Sequence, residues 1–425
     1  MGFTQFVHRH RRKLALAFGI AAVGYYAYSY ARSRILDWHS QFSASLANKE
    51  NLRRRFEQNQ RDATITTTAL LSSLADSIMA DLPVEQITQE LQSKRSGDRG
   101  SGEILVTDTV SLSSTSSEPR LATSQPAATK SRSKKALWND LKVFAITRTF
   151  TLLYATALTI LLTRIQINIL GRKAYMISVL AACQDAESPA DLGIDQELET
   201  EVNRRFLSST WWLLNPGKAE LLRVIKQSTE SIFAEVAPKT EISYLELEQL
   251  IYSLRTSIDQ SLDSFLAILL PTTDDLYDVV LANNPPPAQP VVSESSVRSE
   301  LSLFLDESRD IIESPAARAA LSASLTSGIQ LLLSNIQIGY YFNMYDQEST
   351  TSVNDRDPTF TSEASSDSKP VRLANILAGI DRQAREISKY GSNSENPYFY
   401  ATNNTPELAA LCASVYSNYV ITHEM

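Results

Sequence analysis

The chain has 425 residues, with 40 Lys plus Arg against 48 Asp plus Glu and a net charge of −8. That length suffices for a large single core or for two or three domains, and the acidic balance excludes nucleic acid as the main partner, because phosphate neutralisation needs clustered Lys and Arg. Two cysteines make neither a disulfide framework nor a thiolate metal site, and 13 glycines with four histidines leave little material for a Rossmann, P-loop or metalloenzyme site.

Charge is unevenly placed. Residues 1–34 carry six basic side chains and no acidic one, leaving 34 basic against 48 acidic residues in the remainder, a net of −14. The basic segment 1–13, which includes Arg11, Arg12 and Lys13, leads into an uncharged run from Leu14 to Ala31. Those 18 residues would span about 27 Å as a helix, close to the roughly 30 Å hydrocarbon core. Tyr25, Tyr26, Tyr28 and Tyr30 stand at one end of the run, where aromatic rings suit the headgroup layer. The exit is bulky and lacks the small residues of a signal-peptide cleavage site, and Phe6 occupies the position that a myristoylation motif gives to Ser or Thr. Residues 14–31 are therefore expected to be a transmembrane anchor. Basic residues flank both sides, so the positive-inside count does not orient it; the reduced thiols place the body in the cytosol.

Residues 35–425 read as one helical domain. Residues 35–60 and 62–82 carry apolar residues on helical faces, and Pro83 ends that run. Sixteen of the 43 residues in 93–135 are Ser or Thr, so this stretch is expected to be a disordered loop that buries too little to offset chain entropy. Residues 136–183 are the most hydrophobic block. Thr149–Leu162 is too short to cross a bilayer and is expected to be a core helix. Trp211 and Trp212 precede an Asn-Pro-Gly turn, with Pro216 suited to the first turn of the next helix. Over 243–270, Leu247, Ile251, Leu254, Ile258, Leu262, Phe265 and Leu269 recur at steps of three or four, the clearest helical pattern in the chain. A proline-rich loop over 283–296, helices over 297–313 and 315–345, a polar loop over 346–370 and helices over 371–390 and 405–420 complete the order. The expected fold class is all-α, an elongated bundle of long helices interrupted by disordered loops. Cys183 and Cys412 both lie in apolar helical runs and read as buried thiols.

Catalytic patterns are missing from the sequence: there is no H-E-x-x-H, C-x-x-C, Walker A or G-x-S-x-G. The glycine-rich Gly97–Gly102 stretch follows no strand. His39 and His423 have no partner at ligand spacing, and the acidic pairs Asp274/Asp275 and Glu246/Glu248 fit solvated helix faces and caps. No cofactor or metal is expected. One stretch stands out, from Lys134 to Lys142. On a helix Lys134, Trp138, Leu141 and Lys142 share a face, with the two lysines at its edge. Such a face suits an anchor for an amphipathic partner helix, and it equally suits an indole that plugs the bundle. Both readings stand on these residues alone.

Arg53–Gln60 (RRRFEQNQ), Leu137–Lys142 (LWNDLK), Arg164–Gly171 (RIQINILG) and Trp211–Asn215 (WWLLN), taken in order, resemble the peroxisomal biogenesis factor 3 family in its fungal form, across essentially the whole chain. The resemblance implies a peroxisomal membrane protein, crossing once with its C-terminal domain in the cytosol and without enzymatic activity. The route to the peroxisome, direct or through the endoplasmic reticulum, is left open. It implies a docking receptor for peroxisomal biogenesis factor 19, the soluble chaperone of new membrane proteins, whose amphipathic N-terminal helix would sit in an apolar groove. By this match Trp138 is the groove's central anchor, with Leu141, Lys142 and Lys134 beside it, while Arg11, Arg12, Lys13, Leu14 and Tyr30 serve anchoring and targeting. Adaptors of organelle inheritance and turnover are further implied partners. A membrane-anchored helical tether for such adaptors is the alternative function.

Overall fold

The structure, a computed structural model, describes residues 46–99, 132–183, 195–262, 265–283, 285, 292–342, 370–390 and 396–418. The expected anchor over 14–31, its basic leader and most of the three loops lie outside the described residues. The helices are α1 (Leu46–Asp81), α2 (Val84–Arg99), α3 (Lys134–Cys183), α4 (Gln196–Ser208), α5 (Lys218–Ile232), α6 (Tyr244–Ser261), α7 (Asp274–Asn283), α8 (Glu294–Glu313), α9 (Pro315–Ile336), α10 (Leu373–Ile387), α11 (Pro397–Asn403) and α12 (Pro406–Ser417). Two-residue strands β1 (Glu241–Ile242) and β2 (Val371–Arg372) pair antiparallel and tie the chain before α6 to the start of α10. The fold is all-α, as the helical periodicity indicates.

Local chemistry sets the boundaries. Pro83 separates α1 from α2, and the Val84 amide turns back to the Leu82 carbonyl at 2.9 Å. Ser243 and Glu246 form a reciprocal capping box at the head of α6, which satisfies amides that the first helical turn leaves unpaired. Ser314 caps α9 with Pro315 in its first turn, and Asn396 with Pro397 does the same for α11. Such prolines cost nothing there because the missing N–H would have no intrahelical partner.

Several boundaries differ from the sequence expectation. Helix α1 runs unbroken through residues 60–62. Residues 93–99 belong to α2, 134–135 to α3 and 294–296 to α8, so the helices reach further into the loop regions than composition suggests. The pattern over 243–270 is not one helix: α6 stops at Ser261, and Leu266–Leu269 form a separate turn. Pro216 does not start a helix but lies inside a π-helical stretch, Leu213–Gly217, that leads directly into α5. A π turn accommodates proline because the ladder is already widened there.

Helix α3 is the axis. Its 50 residues extend about 75 Å, and the apolar window within it is wholly buried. Thr149–Leu162 is thus a core segment. A helix apolar all round must be covered all round, and α1, α2, α5 and α8 to α12 supply that cover. Its threonines return their hydroxyls to the preceding turn, Thr156 to the Leu152 carbonyl and Thr159 to the Ala155 carbonyl, both at 2.7 Å, which satisfies polar atoms inside apolar packing. Pro315–Tyr341 is the other described helix long and apolar enough to cross a membrane, and half of its apolar window is buried.

Helix α1 runs antiparallel to α3. Arg55 meets Ser178 at one end, Gln60 meets Asn168 further along, and the chain just past α1 offers the Leu82 carbonyl to Arg148. Arg148 is fully buried. It donates to both Glu85 oxygens at 2.9 and 3.1 Å and to Asp381 of α10. Partial burial works to raise the Glu85 carboxyl, but the Arg148 hydrogen bonds and charge outweigh it and hold the group below its ordinary value.

Candidate functional site: the head of the central helix

The first two turns of α3 project beyond part of the bundle's cover. Leu137 is fully buried and pins the turn to the core, whereas the adjacent Trp138 is 37% exposed. Lys134, Lys135 and Asn139 are exposed, and Leu141 is half-buried against the core. The indole is thus partly covered by the bundle and partly open to the surface. Lys94 of α2 donates to the Arg132 carbonyl, and Arg132 pairs with Asp140 at 3.4 Å. Six residues on from Trp138, the Lys226 ammonium of α5 lies 5.4 Å from the centre of the half-buried Phe144 ring, a cation–π distance.

Lys142 requires a correction. The helical wheel puts it at the edge of an exposed face, but it is only 2% exposed. Its ammonium donates to the Phe233 carbonyl at 2.6 Å and the Val236 carbonyl at 3.0 Å, where α5 ends. A helix C-terminus leaves carbonyls unpaired and attracts a cation. Burial lowers the lysine's pKa, while the two carbonyls supply partners that keep its desolvation tolerable. Lys134 and Trp138 are therefore exposed on this face, Leu141 is half-buried, and Lys142 is buried against the end of α5. Sequence reasoning missed Phe144 and Lys226, which lie 82 positions apart in the chain and show no joint pattern. Arg11, Arg12, Lys13, Leu14 and Tyr30 lie outside the described residues.

The other motif stretches serve packing. Asn59 donates to the Ile167 carbonyl at 2.9 Å, Gln60 to Asn168 at 2.8 Å, and Arg164 to the Gln60 carbonyl at 3.1 Å and to Asn403 at 2.8 Å. Gly171 lets α1 approach, since a Cβ there would lie 2.6 Å from the Asn59 side-chain carbon. Gln166 donates to the Phe206 carbonyl and to Ser209. Trp212 donates to the Ala267 carbonyl at 2.9 Å. Nearby, Arg205 bridges Glu201 at 2.6 Å and Glu294 at 2.6 Å, stitching α4 to α8. The hydrogen bonds from Arg204 come first, and those from Arg205 add to them, in holding the Glu201 carboxyl at about 2.

Of the two thiols, Cys412 is buried, and burial pushes it up to about 11. Cys183 is exposed at the end of α3, contrary to the expectation of two buried thiols. Among the described residues no three His, Cys, Asp or Glu side chains converge as metal ligands.

The Peroxin-3 family matches residues 5–418, nearly the whole chain. The chain is 33% identical, over 97% of its length and 99% of the relative's, to the peroxisomal biogenesis factor 3 of Yarrowia lipolytica. The chain belongs to the Peroxin-3 family. It is also 28% identical to the peroxisomal membrane protein PEX3 of Komagataella phaffii over 97% of this chain and 98% of that one, and 24% identical to the peroxisomal biogenesis factor 3 of Bos taurus over 90% and 88%. Membership in Peroxin-3 supports a role in peroxisome biogenesis, the process after which these relatives are named. All four motif stretches lie within the matched residues.

Proposed function

We propose that this Peroxin-3 protein is a docking receptor of the peroxisomal membrane, held by residues 14–31 as a single span with its helical body in the cytosol. It takes the cargo-loaded import chaperone, peroxisomal biogenesis factor 19, by an amphipathic helix laid against the head of α3. The exposed Trp138 indole carries this reading. A large aromatic at the surface, beside the half-buried Leu141 and with Lys134, Lys135 and Arg132 around it, is the composition of an interface hot spot with a polar rim. Docking needs no chemistry at the site, only reversible burial of apolar area, and release of the chaperone follows from its off-rate. The rim cations favour an acidic partner by speeding encounter.

Full-length protein in lipid nanodiscs, titrated with a labelled N-terminal peptide of the chaperone, tests the reading. Trp138→Ala is expected to weaken binding by about 30- to 1000-fold, the loss of one central aromatic anchor, with helicity unchanged. Lys134→Glu slows association and reduces its salt dependence. Unchanged affinity in Trp138→Ala overturns the docking surface. Imaging residues 1–40 fused to a fluorescent protein tests the address: peroxisomal rings are expected, and a diffuse cytosolic signal removes the anchor.

A further inference from the structure

The chain that enters α3 gathers positive charge around a serine. Residues 130–135, K-S-R-S-K-K, carry four basic side chains and no acidic one, in a chain whose net charge is −8. Ser133 is exposed, as are Arg132, Lys134 and Lys135 beside it. Lys94 of α2 joins them through its bond to the Arg132 carbonyl. Ser133 stands just before α3: its Oγ accepts the Ala136 amide at 3.2 Å and its carbonyl accepts the Leu137 amide at 3.0 Å. A serine that caps a helix is ordinary. This one differs in lying among cations at the entrance to the docking surface, since Trp138 follows about 7.5 Å further along the axis.

We propose that Ser133 is a phosphorylation site and that a phosphate there slows docking at the head of α3. This switch rests on the docking reading above and adds its regulation. Basic residues flanking an exposed hydroxyl are what a basophilic serine kinase recognises. Such a kinase takes its substrate extended, and here only the first helical turn has to open. Opening breaks the two bonds just named, while the fully buried Leu137 holds the rest of α3 in place; helix ends open at little cost. In the transfer the Ser133 Oγ attacks the γ-phosphorus of ATP. The new O–P bond forms as the bond to the β-phosphate oxygen breaks, ADP leaves, and the hydroxyl proton passes to the kinase's aspartate base.

The product carries about −1.5 to −2 charges at neutral pH, which cancels about half of the positive charge on residues 130–135. A phosphate before a helix accepts amides of the first turn and suits the positive end of the helix dipole, so the head stays folded and Trp138 stays presented. Arg132 pairs with Asp140 at 3.4 Å, and a phosphate on the next residue is the stronger, bidentate acceptor. Its capture of Arg132 uncovers the Asp140 carboxylate near Trp138. Both changes turn the rim against an acidic helix, and they act on encounter rather than on the buried contact.

Phosphoserine is placed at position 133 of the full-length protein by genetic-code expansion, and the protein in nanodiscs is titrated with the labelled chaperone peptide. Association is expected to slow about tenfold at low salt and to lose most of its salt dependence, with off-rate and helicity kept. Ser133→Asn retains a capping side chain without charge and should associate as the parent does. Protein isolated from its native cells is expected to carry phosphate on Ser133 in peptide mass spectra, and its absence there overturns the modification. An unchanged association rate in the phosphoserine form overturns the switch, while a weakened Trp138→Ala leaves the docking surface standing. A faster off-rate with lost helicity also overturns it, because the phosphate then acts by unfolding the head. If Trp138→Ala binds as the parent does, docking surface and switch fall together.

Discussion

The head and the midsection of α3 are built from the same material and do opposite things. Around Arg148 and Arg164 the helix is enclosed, and its polar side chains reach partners on α1, α2, α10 and α11. At Trp138, less than three turns before Arg148, an aromatic ring is 37% exposed although Leu137 and Lys142 on either side of it are buried. Both regions carry motif residues of the Peroxin-3 resemblance. The comparison separates two kinds of motif residue: Arg164, Leu137 and Lys142 hold the bundle together, whereas Trp138 keeps 37% of its surface exposed.

Arg148 gives the sharpest way to break the comparison. Arg148→Ala leaves Asp381 and Glu85 without their cation and opens a hole in the core. The expected cost is about 3–5 kcal/mol in denaturant unfolding, the range for removing one member of a buried ion pair. Trp138→Ala should change unfolding little and partner binding greatly. If the two variants lost stability equally, head and midsection would not differ in kind. Glu201 comes next. Its carboxyl is held at about 2 against an ordinary 4.5, so the stability it adds is present above about pH 4.5 and is lost as pH falls toward 2. Glu201→Gln is expected to lower stability by about 2–3 kcal/mol at neutral pH, and the gap to the parent protein should close as acid unfolding is followed below pH 4.5. A gap that stays constant with pH would show that packing, not charge, holds α4 to α8.

A smaller effect belongs to Gly171. A Cβ at this position meets the Asn59 side chain at 2.5–2.6 Å. A flexible side chain would ordinarily move aside, but Asn59 is committed to the Ile167 carbonyl and to Asn168. Gly171→Ala is therefore expected to cost about 1–3 kcal/mol, measured by thermal or chemical unfolding. The double variant Asn59→Ala/Gly171→Ala should cost less than the sum of the two single ones, because the clash and the hydrogen bonds share one side chain.

Much of this was legible in the sequence, for physical reasons that differ by region. An uninterrupted apolar block bounded by Arg148 and Arg164 can only be a central helix, because no one-sided cover would keep it from water. The side on which Trp138 emerges was not legible, since helical spacing gives a face and not what covers it. The burial of Arg148 was hidden because its partners are 63 and 233 positions away. The break at Leu262 escaped because the apolar steps continue through it, and the continuity at Pro216 escaped because a π-helical stretch carries the backbone through the proline into α5. The head of α3 was read from residue types, and its one misplaced member is Lys142.

Lys142 also gives the finest test of where the head stops and the core begins. Its ammonium spans the Phe233 and Val236 carbonyls at the end of α5, so it joins the first exposed turns of α3 to the helix beneath them. Lys142→Met keeps most of the apolar stem and removes the donor; the Phe233 carbonyl keeps the Val236 amide at 3.3 Å, while the Val236 carbonyl loses its lysine partner. The expected loss is about 1–2 kcal/mol in unfolding. Because the group is buried, the substitution should leave the association rate and its salt dependence unchanged, whereas Lys134→Glu should alter both and leave stability alone. Any loss of partner affinity in Lys142→Met would then appear in the off-rate, through loosening of the turn that presents Trp138. A salt-dependent fall in on-rate with Lys142→Met would instead mean that the lysine leaves its carbonyls in solution and acts on the rim.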